Sequence, residues 1–129
     1  MPLLSFDHVN IRTSNIDAMI AWYDDVLGIK QGHRPAFANP GAWLYLGDAC
    51  VVHLVDLDTP PTPYRDDENI RLEHFAFRAS GYADFTANLD AHGIAYTPVP
   101  ADVAGTVLVF LRDPDGNAIH VDFPLSEMA

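Results

Sequence analysis

The stretch Asp7-His8-Val9-Asn10-Ile11-Arg12 decides the fold, because the chain repeats its pattern as Glu73-His74-Phe75-Ala76-Phe77-Arg78. Both run acid, histidine, alternating apolar residues, arginine, which is the period-two pattern of a strand with one buried face. Each then enters a polar turn carrying a serine, Ser14 or Ser80, expected to cap the helix that follows. Apolar residues next recur at spacings of three and four: Ile16, Met19, Ile20, Tyr23 and Leu27, then Tyr82, Phe85 and Leu89. That spacing puts them on one helix face. Gly28 and Gly93 follow the last turns, where a left-handed residue ends a helix, and Ile29 or Ile94 opens the next extended segment.

The halves also end alike. Val52-His53-Leu54-Val55-Asp56 matches Ile119-His120-Val121-Asp122-Phe123, each after a turn, Gly47-Asp48 or Asp113-Pro114-Asp115-Gly116. His74 follows His8 by 66 residues and His120 follows His53 by 67, in a chain with only six histidines. Two pairs at nearly one offset mark a duplication. Between the halves, Asp58-Thr59-Pro60-Pro61-Thr62-Pro63-Tyr64-Arg65-Asp66-Asp67-Glu68-Asn69 is too rich in proline and charge for a helix or central strand. The expectation is one α+β domain over 1–129: a βαβββ module over 1–57, a linker over 58–69 and a second βαβββ module over 70–125. Strands are predicted at 4–12, 30–37, 42–47, 50–57, 70–79, 94–99, 105–112 and 117–123, and helices at 15–27 and 81–92. Residues 34–41 also read as a loop.

Composition narrows the function. A chain of 129 residues that is 49% hydrophobic and 19% charged suits one soluble globular domain. Eighteen acidic residues against seven basic ones give a net charge of -11, which repels phosphate backbones and anionic lipid, so neither nucleic acid nor membrane is an expected partner. No run approaches the ~20 apolar residues needed to cross a bilayer. Cys50 is the single cysteine; within Ala49-Cys50-Val51-Val52 it reads as a small buried hydrophobe in a reducing compartment. The N-terminal residues lack a signal-peptide pattern, and a cytoplasmic location is expected.

Strand alternation gives the histidines their meaning. Phe6, His8, Asn10 and Arg12 face away from Val9 and Ile11, and His74, Ala76 and Arg78 face away from Phe75 and Phe77. His53 alternates with Val52 and Leu54, and His120 with Ile119 and Val121. All four imidazoles thus lie opposite the apolar face, and sheets that curve toward each other would aim them at one divalent metal ion. All-nitrogen ligation suits zinc, nickel, copper or ferrous iron. His33 and His92 fall outside the pattern, His92 as a cation at a helix C-terminus. Asn10 shares a face with His8 and offers a hydrogen bond to a substrate oxygen. Trp43 and Tyr45 make one strand face aromatic, fit for a cavity wall or for core packing. Asp122 shares a face with His120, as its hydrogen-bond partner or as a base near the metal. Arg34 offers a cation to an anionic substrate.

Together Asp7-His8-Val9, Trp22-Tyr23-Asp24-Asp25-Val26-Leu27-Gly28, Glu73-His74-Phe75-Ala76-Phe77 and Asp113-Pro114-Asp115-Gly116-Asn117-Ala118-Ile119-His120 resemble the vicinal oxygen chelate superfamily. That superfamily includes glyoxalase I, extradiol dioxygenases and the fosfomycin and bleomycin resistance proteins. The resemblance covers essentially the whole chain. It implies paired βαβββ modules in a U-shaped half-barrel around a metal, a homodimer, and a small substrate chelated through neighbouring oxygens by a lyase, isomerase or dioxygenase. The family's metal positions fall on His8, His53, His74 and His120. The family usually has a carboxylate where His120 stands, and glyoxalase I another where His53 stands; four neutral imidazoles would leave the metal's double charge uncancelled and favour an anionic substrate. The alternative is a metal-free ligand-binding protein of the bleomycin-resistance type, which has no use for convergent imidazoles.

Overall fold

The computed structural model describes residues 2–62 and 70–128. The chain divides into two compact units, Met1–Pro63 and Tyr64–Ala129. Residues 63–69 of the expected linker lie outside the described residues.

In the first unit, strand β1 (Val9–Thr13) is followed by helix α1 (Ile16–Leu27) and strands β2 (Lys30–Gly32), β3 (Gly41–Leu46) and β4 (Ala49–Asp56). The sheet order is β1-β4-β3-β2, with β1 parallel to β4 and the other pairs antiparallel. Met19, Tyr23 and Val26 of α1 are buried with Ile11, Leu44, Val52 and Leu54 of the sheet. Burial of that one face is what chiefly stabilises the unit, and it fixes the register. A slip by one residue would turn His53 into this core and expose Val52 and Leu54.

The second unit repeats the plan. Strand β5 (His74–Arg78), helix α2 (Tyr82–Ala91) and strands β6 (Thr97–Ala101), β7 (Thr106–Arg112) and β8 (Ala118–Pro124) are closed by a short 3-10 helix, Leu125–Met128. Its sheet order is β5-β8-β7-β6, with β5 parallel to β8. Leu89, Val107, Val109, Leu111, Ile119, Val121 and Phe123 form its core, and the rings of Tyr82 and Phe85 pack on Phe123 at 5.7 and 5.2 Å. β6 carries Pro98 and Pro100 and lies at the sheet edge, where a missing N–H does no harm. Both units are βαβββ modules of an α+β fold, as the duplication predicts.

Element ends differ from the prediction for identifiable reasons. β1 starts at Val9, not near residue 4: its register on β4 stops at Val52, and Val51 is the extra residue where β3 and β4 slip register. β2 ends at Gly32, and residues 33–40 leave the sheet as a loop. Gly32 packs so closely on the Tyr45 ring that a Cβ would lie 2.7 Å from it. β6 starts late because the Ile94 N–H is donated back to the Leu89 carbonyl, which closes α2. Neither serine caps a helix. Asn15 and Gly81 occupy the cap positions without side-chain cap bonds, and Glu127 instead accepts the N–H groups of Gly81 and Tyr82, each at 2.9 Å. Gly28, at φ 68°, ends α1 in the left-handed conformation expected of it.

Candidate metal centre

Each unit gathers one histidine pair on the sheet face opposite its helix. In the first, His53 on β4 lies in register with Asn10 of β1 and Trp43 of β3. Its ring is sandwiched: His8 stacks on it at 3.6 Å and 14°, and Trp43 at 4.2 Å and 11°. Burial there pushes the His53 pKa below 6.5, and the neighbouring His8 and Arg34 push it the same way against Asp7. A neutral imidazole keeps the lone pair that a metal needs. The outer ring of the pair, His8, donates Nδ1–H to Asp7 Oδ2 at 2.7 Å. A carboxylate oxygen accepts from the ring N–H, so Nδ1 is committed to that bond and Nε2 is the ring nitrogen left outside it.

The second unit repeats this arrangement. His120 on β8 lies in register with Ala76 of β5 and Phe110 of β7, the counterparts of β1 and β3 that flank His53. Its ring meets His74 at 4.4 Å and Phe110 at 5.0 Å. His74 donates Nδ1–H to Glu73 Oε1 at 2.8 Å, and His120, only 8% exposed, is bonded through Nδ1 to Asp122. Phe110 is thus the counterpart of Trp43, 67 residues on, and the repeat offset alone points to it. Asn10 has only Ala76 as its counterpart, so the first unit alone offers an amide at this register position.

Among the described residues, no three His, Cys, Asp or Glu side chains form a ready-made metal cluster. The structure brings His8 to His53 and His74 to His120. The donor chemistry of each pair fits a borderline metal: imidazoles, with Nδ1 of three rings occupied by carboxylates and Nε2 left open. The sequence shows no carboxylate at the ligand positions. The structure bonds Asp7, Glu73 and Asp122 to the histidine rings, so each pair carries carboxylate charge beside its imidazoles.

The other expected site residues divide. Trp43 walls His53 and extends through Phe37, 5.9 Å away, to the Arg34 guanidinium, 5.1 Å above the Phe37 ring. Arg34 Nη2 donates to the Asn39 carbonyl, while its Nε is buried with no hydrogen-bond partner. Gly41 makes this possible, since a Cβ there would lie 3.0 Å from Arg34 Nη2. Tyr45 donates its hydroxyl to the His33 carbonyl and lines a separate open hollow with Lys30 and Gly32. Cys50 is half-buried beside Tyr45, and burial pushes its thiol up, away from the reactive thiolate. His92 donates to the Asn88 carbonyl at the end of α2.

The Glyoxalase/Bleomycin resistance protein/Dioxygenase superfamily profile matches residues 5–121. The chain belongs to that superfamily. It is 28% identical over 123 residues to Glyoxylase I 4 of Arabidopsis thaliana, covering 92% of this chain and 70% of the relative. It is 31% identical over 119 residues to Biphenyl-2,3-diol 1,2-dioxygenase 3 of Rhodococcus globerulus, covering 88% of this chain and 60% of that one. The chain therefore spans less than two thirds of the dioxygenase. A glyoxalase/dioxygenase of Nostoc punctiforme superposes with a TM-score of 0.81 at 20% identity, over 95% of this chain and 92% of that one. At that identity the likeness establishes the glyoxalase fold. No helix among the described residues is long and apolar enough to cross a membrane.

Proposed function

We propose that this superfamily member is a metal-dependent enzyme acting on a small substrate through two neighbouring oxygens, as a lyase, isomerase or dioxygenase. The observation that carries the reading is the repeated histidine pair, His8–His53 and His74–His120, with Nδ1 of three rings already bonded to a carboxylate. The four histidines are the metal ligands, given as two pairs, and zinc, nickel, copper and ferrous iron are the fitting ions. A divalent ion so held supplies Lewis-acid polarisation of neighbouring oxygens. The relative named for a biphenyl-2,3-diol agrees with a substrate of that shape.

The chain's own residues bind and orient. Asn10 donates its amide to a substrate oxygen beside His53. Trp43 covers the His53 ring, keeps water from that side and gives a flat ligand a surface to stack on. Arg34, with its Nε unpaired, meets an anionic substituent. Asp122 acts by fixing His120, because its carboxylate is already bonded to that ring. Tyr45 shapes the far end of β3, since its hydroxyl is committed to His33. The working form is a cytoplasmic homodimer.

The test is elemental analysis of protein purified without a histidine tag, beside a His74→Ala variant. Near-stoichiometric zinc, nickel, copper or iron, lost in the variant, is the expected result. Protein that takes up none of these metals, with no thermal shift on their addition, would sink the enzyme reading in favour of a metal-free binding protein.

A further inference from the structure

Adjacent residues of a strand point to opposite faces, so an acid directly before a histidine does not ordinarily reach that ring. Here it does so twice. Asp7 and His8 both precede β1, and Glu73 precedes β5, which opens at His74. Off the pleat, each acid is free to fold onto its neighbour, at 2.7 and 2.8 Å. An aspartate and a glutamate, different in length, reach the same ring atom, Nδ1, at equivalent places in the two compact units. The late start of β1 at Val9 is thus part of the arrangement.

We propose that Asp7 and Glu73 are positioning residues, which hold His8 and His74 as Nδ1–H tautomers with the Nε2 lone pair presented to the metal. The inference rests on the metal reading above and extends it from the ligands to what aims them. Histidine free in water favours the opposite, Nε2–H form, which would offer the wrong nitrogen. Both acids are solvent-exposed, so their bonds add little to folding. Their effect falls on ring orientation and ligand basicity, as for carboxylates behind metal-bound histidines generally. Asp122 does the same for His120 from the same strand. His53 has its ring clamped between His8 and Trp43.

The experiment compares the intact wild-type chain with Asp7→Ala, Glu73→Ala, Asp7→Asn and Glu73→Gln. Zinc affinity is read by chelator competition, and the imidazole tautomers of metal-free protein by 15N NMR. Each alanine variant is expected to weaken zinc binding about 10- to 100-fold and to shift its histidine toward the Nε2–H form, at an unchanged thermal midpoint. The amide variants keep an accepting oxygen, and should restore the tautomer fully and the affinity in part. Wild-type affinity and unshifted tautomers in both alanine variants would overturn the inference while leaving the metal reading standing. A wild type that binds no zinc, nickel, copper or iron overturns the metal reading, and this inference with it.

Discussion

His53 sits between two flat rings, and its titration is a consequence of that position. Burial holds its pKa below the ordinary 6.5, so in the folded chain it stays neutral where an unfolded chain has taken up a proton. The unfolded state then binds more protons, and stability falls with falling pH. The contribution is complete above about pH 6.5 and is lost as pH drops through the lowered folded value. Denaturant melts of metal-free protein should therefore show less acid sensitivity in His53→Gln than in wild type, and equal sensitivity would refute the assignment. Gly41 is a second position where one atom decides. A Cβ there would lie 2.2 Å from the Leu54 carbonyl of the paired strand, and backbone cannot yield as a side-chain tip can. Gly41→Ala is expected to cost about 1–3 kcal/mol, measurable by urea unfolding, and to displace Arg34. Neither effect is visible in the sequence. The alternation of Trp43 with Leu44 and of His53 with Val52 gives the faces, but not which rings stack or which carbonyl crowds a glycine.

At the scale of elements, periodicity locates the helices and most strands, because burying one apolar face drives folding and leaves its pattern in the chain. Boundaries depend on contacts that are distant in sequence. Ser80 stands where an N-cap belongs, yet the N–H groups of Gly81 and Tyr82 go to Glu127, more than forty residues later. A carboxylate at a helix N-terminus satisfies donors and meets the positive end of the helix dipole. Glu127→Ala should cost about 1 kcal/mol and loosen the terminal 3-10 helix from α2. Glu127→Gln keeps the acceptor without the charge and should cost less. Chemical denaturation of both variants checks the order, and a larger loss in the glutamine variant would contradict it. The acid–histidine dipeptides belong at this scale too. Both acids are visible in the sequence repeat, but strand alternation alone would separate each from its ring.

At the scale of the molecule, the duplication is readable because a 66- or 67-residue offset places like side chains in like strands, and the sheet orders β1-β4-β3-β2 and β5-β8-β7-β6 repeat accordingly. Chain association is not encoded so directly; its candidate signal is apolar surface left bare. Leu3, Leu4 and Phe6 are 85%, 96% and 82% exposed just before β1, which has β4 as its one neighbour in its sheet. Large apolar side chains grouped on an open sheet edge are costly in water and invite pairing with another chain. A second copy supplies the same segment and the same edge, so a two-fold pairing covers both at once. Light scattering should give twice the 14.2 kDa of the chain at micromolar concentration. Replacing Leu4 and Phe6 together by glutamate should return a folded monomer, because both side chains lie outside the cores. Metal binding by that monomer then separates two arrangements. Retained affinity places each ion's ligands within one chain, and lost affinity with intact folding places them across two. A wild type that is monomeric at tens of micromolar would end the dimer reading and leave the apolar edge to another partner.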